Sequence, residues 1–175
     1  IITPELKAAG NRLVLLTVKR DGDLLPDYED LRAQYRALTE DIKAKRVLSA
    51  YVLERHGAAE AVTKMALGNG LGVKLADSVS EETLFAPGWC NLLLEVPAEA
   101  HGKLSCRTEL FGEVTATPVL SYRSTEISLA EAEKAWTGTL EEVFPTRVTE
   151  GGEILDRPLY HADTVAVCGH KIGTP

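Results

Sequence analysis

Between Ser49 and Asp77 the chain reads SAYVLERHGAAEAVTKMALGNGLGVKLAD, and two glycine-bearing joints divide this stretch into a turn, a helix and a strand. The turn is Arg55-His56-Gly57. Beyond it Ala58, Val62 and Met65 recur at helical spacing, an apolar face that has to be buried. Gly68-Asn69-Gly70 ends the helix, and the alternation of Val73 and Leu75 then reads as a strand. A helix start carries free N–H groups and positive partial charge, so the ligand favoured in front of it is an anion. Arg55, His56 and Gly57 at the first joint, with Asn69 at the second, are the candidate phosphate- or nucleotide-binding residues. The same glycines are also ordinary punctuation of an α/β domain. In that case Arg55 pairs with a carboxylate such as Glu54 or Glu60, and His56 packs at the turn.

The rest of the chain is organised around strands. Asn11 to Lys19 is almost continuously apolar, which predicts a central strand covered on both faces. Asp27 is a plausible N-cap for a helix whose Tyr28, Leu31, Tyr35, Leu38 and Ile42 share one face. A polar loop is expected at Ser78 to Glu82, and Pro87-Gly88 is a turn leading into a second apolar strand at Asn91 to Val96. Leu104–Arg107, Glu113–Ala116 and Val119–Tyr122 read as shorter strands separated by Gly112 and Pro118. Ser128 and Glu131 form a capping box. It opens a helix with an apolar stripe of Leu129, Ala132, Trp136, Leu140 and Val143, stopped by Pro145. Thr164 to Cys168 could pair as a further strand. The pattern predicts an α/β (α+β) class, a mixed sheet flanked by helices. A domain at 1–146 and a tail at 147–175 complete the expected organisation.

Composition excludes several functions. With 26 acidic and 19 basic residues the formal net charge is −7, which argues against broad binding to nucleic acid or anionic membranes. No apolar run approaches the ~20 residues of a membrane span. Cys90, Cys106 and Cys168 form no CxxC pair, which points away from a disulfide framework or zinc site and towards a reducing compartment, the cytoplasm. His56, His101, His161 and His170 lack the spacing of a metal-binding helix face. Cys168-Gly169-His170 is a poor catalytic pair, because such residues normally meet through the fold. Trp89 stays open as a pocket residue, whereas Trp136 on its stripe is expected in the core. The chain opens at Ile1-Ile2-Thr3, without methionine, and is expected to be a piece of something longer.

Four segments in order, VLSAY at 47–51, HGAAEAVTKMALGNGLGVKL at 56–75, LFAPGWCNLLLEV at 84–96 and LFGEVTATP at 110–118, resemble the C-terminal half-module of the aminoimidazole ribonucleotide synthetase superfamily. The segment AEKAWTGTLEEVFPTR at 132–147 narrows the likeness to the phosphoribosylformylglycinamidine synthase family. The resemblance implies an ATP- and magnesium-using ligase of purine biosynthesis that takes ammonia from glutamine. This chain would be its second C-terminal half, and its partners would be synthetase-like N-terminal halves and a glutaminase domain. The run HADTVAVCGHKIGTP at 161–175 resembles the approach to that glutaminase. One departure matters. Where better-known members carry a magnesium-binding aspartate, a nucleotide-touching serine and two glycines, this chain has Leu53, Arg55 and Gly57-Ala58. A leucine cannot bind magnesium, so Arg55 would meet phosphate by direct charge-assisted hydrogen bonds. The alternatives are a non-catalytic packing module, or another enzyme of the superfamily such as a selenophosphate synthetase, a thiamine-phosphate kinase or a hydrogenase-maturation protein.

Overall fold

The computed structural model describes residues 2–145. By internal contacts the chain divides into two compact units, Ile1–Thr139 and Leu140–Pro175. In the second, the described residues make a turn in which the Val143 and Phe144 N–H groups donate to the Leu140 carbonyl.

The first unit is built on one sheet. β1 (Arg12–Leu16) is flanked by β4 (Leu92–Val96) and β5 (Thr108–Thr115), both antiparallel to it. With β2 (Ser49–Val52), β3 (Gly72–Leu75), β6 (Val119–Tyr122) and β7 (Thr125–Ser128) the order is β2-β4-β1-β5-β3-β6-β7. The β3–β6 pair is parallel, so the sheet is mixed as expected. The apolar run of β1 is explained by cover on both sides. Leu13 and Leu15 enter the cluster formed with helices α2 (Gly57–Asn69), α3 (Glu81–Phe85) and the first residue of α4 (Leu129–Gly138). Val14 and Leu16 enter the other, with Leu38 of α1 (Tyr28–Lys43).

The helix ends follow the capping chemistry of the sequence. Asp27 accepts from the Glu29 and Asp30 N–H groups at the start of α1, and Ser128 and Glu131 close a capping box on α4. Ser80 caps α3, so the polar loop expected at 78–82 is present at 78–80 and its last two residues, Glu81 and Glu82, instead begin a helix. It is short and only its Leu84 is buried, so it left no periodic signal.

Other expectations are corrected. Leu104–Arg107 is not a strand: the Ser105 and Cys106 N–H groups donate to the Asp41 carboxylate instead of to a ladder. Gly112 does not separate two strands but lies inside β5, where the register against β1 slips by one residue, a β-bulge. α4 ends at Gly138, and Trp136 is 61% exposed rather than core, because Leu129 is the only buried residue of that helix. The sequence pattern did not reveal β2 or β7. The proposed strand at Thr164–Cys168 lies outside the described residues.

Asp41 is fully buried and also bound by Arg46, at 2.8 Å through Nε and 2.7 Å through Nη2. Burial pushes its carboxyl up, but the Ser105 and Cys106 N–H groups and Arg46 outweigh burial and hold it below its ordinary 3.8. A depressed carboxyl contributes stability above its unfolded value and loses it as pH falls through the folded one. Acid unfolding is therefore expected to steepen below that ordinary value, and Asp41→Asn should flatten this part of the stability–pH curve while lowering stability at neutral pH. Urea titrations at several pH values check both effects.

Candidate anion-binding site

The turn Glu54-Arg55-His56 follows β2 and enters α2, the one α-helix among the described residues whose N-cap, His56, makes no side-chain capping bond. No side chain caps the first N–H groups of α2, although the Gly57 N–H itself donates to the Glu54 carbonyl at 3.3 Å. Glu54, Arg55 and His56 are exposed. Arg55 has no hydrogen-bond or ion-pair partner among the described residues, and Glu60, expected as a possible partner, is taken by Lys64 at 2.6 Å. Lys64 lowers the Glu60 pKa, burial opposes it, and the His56 main-chain N–H adds to the lowering. The second Glu60 oxygen is buried and makes no hydrogen bond. Lys64 also lies over the Tyr51 ring, 5.8 Å from its centre. The helix start thus carries an arginine with no partner among the described residues beside an internally balanced Glu60–Lys64 pair.

Gly57 has φ +68°, and a Cβ there would fall 2.5 Å from the Ala86 carbonyl oxygen and 2.6 Å from that of Leu84. The glycine is required by packing against the loop after α3. That loop is locked to the turn a second time: the Gly88 N–H donates to the Glu54 carbonyl at 3.1 Å, and a Cβ on Gly88 would fall 2.7 Å from Leu53. Leu53 itself is 2% exposed. The position that the sequence resemblance associates with magnesium is therefore filled by a buried hydrocarbon, and this loop does not fit the ion. Among the described residues no group of three or more His, Cys, Asp or Glu could hold a metal.

The structure brings Arg55, His56 and Gly57 together and separates Asn69 from them. Twelve residues of helix at 1.5 Å each put Asn69 about 18 Å away. Its side-chain amide donates to the Leu6 carbonyl at 2.8 Å, fastening the N-terminal segment. Beside the first turns of α2, a groove of about 330 Å³ is lined by Ala59, Val62, Phe85, Tyr122 and Ile127, among others. Its walls come from α2, β3, α3 and the β6–β7 hairpin, segments separate in sequence, so no local motif announces it. Trp89 is 53% exposed on the loop locked to Glu54. Cys106 is buried, and burial first, then the neighbouring Asp41, push its thiol up to about 12, which removes it as a nucleophile. Cys168, His161 and His170 lie outside the described residues.

The site thus sits on an α/β unit, a mixed sheet covered by α1 on one face and by α2 and α3 on the other. No family model matches the chain. Among solved structures, the PurL protein of Thermotoga maritima complexed with AMPPCP superimposes with a TM-score of 0.63 at 18% identity, covering 74% of this chain and 26% of that one. Phosphoribosylformylglycinamidine synthase II from the same organism gives 0.62 at 16% identity, covering 74% and 27%. The hydrogenase maturation protein HypE of E. coli gives 0.53 at 16%, covering 73% of this chain and 51% of its own. These likenesses show a shared fold, as the sequence resemblance anticipated. The chain spans about a quarter of the length of the PurL structures and half that of HypE. Among the described residues no helix is long and apolar enough to cross a membrane.

Proposed function

We propose that this chain is a C-terminal half-module of a phosphoribosylformylglycinamidine synthase-like ligase, forming one wall of a cleft that holds the phosphate of a nucleotide or nucleotide-like substrate. The observation that carries the reading is the start of α2, capped by no side chain, beside an Arg55 with no partner among the described residues, set in a fold shared with PurL structures complexed with AMPPCP, ADP, ATP and FGAR. Arg55 supplies charge-assisted hydrogen bonds to phosphate oxygens, His56 flanks them, and Gly57 fixes the turn that aims the first N–H groups. Asn69 serves the fold in this reading, because its amide is spent on Leu6. In such a ligase ATP activates an amide oxygen by phosphoryl transfer and ammonia from glutamine displaces it, a reaction that depends on positioning across several domains. Synthetase-like N-terminal halves and a glutaminase domain of the same chain are the proposed partners. This piece, with a domain at 1–146 and a tail at 147–175, is inactive alone, and its compartment is the cytoplasm.

The buried Leu53 and the packing of Gly57 also suit a second reading, a half-module that keeps the fold but binds no ligand. The HypE likeness keeps a third open, another enzyme on the same architecture. Thermal unfolding of the 175-residue chain with ADP, ATP or inorganic phosphate, each with and without magnesium, separates the first two. A ligand at ~100 times its dissociation constant adds about 2.7 kcal/mol. A magnesium-independent rise with phosphate, lost in Arg55→Ala, is the expected result. No rise with any ligand overturns the anion site and leaves the packing module. Extending the reading of the coding sequence beyond Pro175 addresses the third, since a glutaminase there belongs to the ligase alone.

A further inference from the structure

We infer that Arg20, on a different strand connection, is a positioning residue for the turn that enters α2; the inference rests on the reading of Arg55 as an anion ligand. The guanidinium of Arg20 donates to two main-chain carbonyls, that of Leu24 at 2.9 Å and that of Trp89 at 2.6 Å. Both acceptors lie at strained places. Leu24 has φ +63°, and Cys90, next to Trp89, has φ +69°, a left-handed backbone that costs a non-glycine residue energy. The Trp89–Asn91 segment is held at three successive residues. Arg20 binds the Trp89 carbonyl, the Tyr35 hydroxyl donates to that of Cys90 at 3.0 Å, and the Val18 N–H donates to the Asn91 side chain at 3.0 Å.

From that segment the contacts continue into the site. The Asn91 N–H closes onto the Gly88 carbonyl at 2.9 Å, the Gly88 N–H donates to Glu54, and the Gly57 N–H donates to the same Glu54 carbonyl at 3.3 Å. Gly88 sits directly against Leu53 and Gly57 directly against Ala86, so the two loops have no slack between them. Releasing Trp89 moves Gly88, and with it the carbonyl that orients the first N–H of α2. Arg20 is the member of this chain that can be removed without opening the core, since its side chain is only half-buried and neither hydrophobic cluster includes it. A lysine at this position, with one compact ammonium, can replace one of the two bonds but not the fork.

The test uses the full 175-residue chain as wild type, Arg20→Ala, Arg20→Lys and, as a control, Lys43→Ala, which breaks an exposed pair with Glu40 at the far end of α1. Amide resonances of Gly57 and Gly88 are followed by NMR, and inorganic phosphate is titrated into each protein. Arg20→Ala is expected to shift both amides and to weaken phosphate binding about threefold to tenfold, with Arg20→Lys between it and wild type. Lys43→Ala should leave both amides in place. Unmoved amides in a folded Arg20 variant, or an equal movement in Lys43→Ala, overturn the inference. Should Arg20→Ala fail to fold, Arg20→Lys decides by the same readout. Absence of phosphate binding in the wild type sinks the reading of Arg55, and the amide shifts then judge Arg20 alone.

Discussion

Glu95→Ala should lower the unfolding free energy by about 4 kcal/mol, the sum expected when several buried donors lose one shared acceptor. Glu95 stands on β4, fully buried, and its carboxylate accepts five hydrogen bonds at 3.2 Å or less. They come from the Lys7 N–H, which reaches both oxygens, the Ala8 N–H, the Asn11 amide and the Ser49 hydroxyl. These donors belong to β2 and to the segment before β1, so the side chain ties the chain's first residues to the middle of the sheet. Leu6, with no exposed surface, is inserted into the α2 side of the core just before the clamp. Against a typical stability of roughly 5–15 kcal/mol the loss is a large fraction. Glu95→Gln keeps the shape but turns an NH₂ group towards donors, so an intermediate loss of about 2 kcal/mol is expected. Urea denaturation gives both values, and hydrogen exchange should show protection lost first at residues 6–11. A loss below ~1 kcal/mol for Glu95→Ala would mean that water replaces the carboxylate and that the clamp is dispensable.

This carboxylate also shows where the sequence was legible and where it was not. β1 could be read because burial on both faces writes a continuous apolar run. β4 was read for the same reason, yet the glutamate inside LLLEV carries no local mark of its four partner residues, three of them more than eighty residues away. β2 was hidden because its Ser49 is buried for the sake of Glu95, which breaks the apolar alternation in a four-residue strand. β7 is short and mostly exposed at the sheet edge, with little hydrophobic signal to give. The start of α2 was legible, because helix entry is a local property of turn, glycine and apolar spacing. What faces that start was not. The carbonyls of Leu84 and Ala86 reach Gly57 across nearly thirty residues of chain, and only the fold shows that the glycine is demanded by packing. Asn69 was grouped with the turn because both joints carry glycine, while the rigid helix between them keeps them apart.

Gly57→Ala should cost about 3 kcal/mol, combining the left-handed backbone with the overpacking of a Cβ against main-chain atoms that cannot rotate away. Gly70→Ala supplies the comparison that separates the two causes. Gly70 has nearly the same backbone, φ +66° against +68°, but nothing lies within 4 Å of its Cβ position. Its substitution should therefore register the backbone alone, about 1 kcal/mol. The difference between the two variants, measured by chemical denaturation under one set of conditions, is then the free energy with which the loop after α3 is pressed against the entry of α2. A difference near zero would show that this loop yields easily, and the open N–H groups of α2 would then be held by the helix alone. A difference of about 2 kcal/mol would show a rigid frame around Arg55 and His56, in which the donors are fixed before any anion arrives and little ordering remains to be done on binding. That rigidity favours the ligand-binding reading, since preorganised N–H groups at a helix start are worth most to an anion when they need not move to meet it.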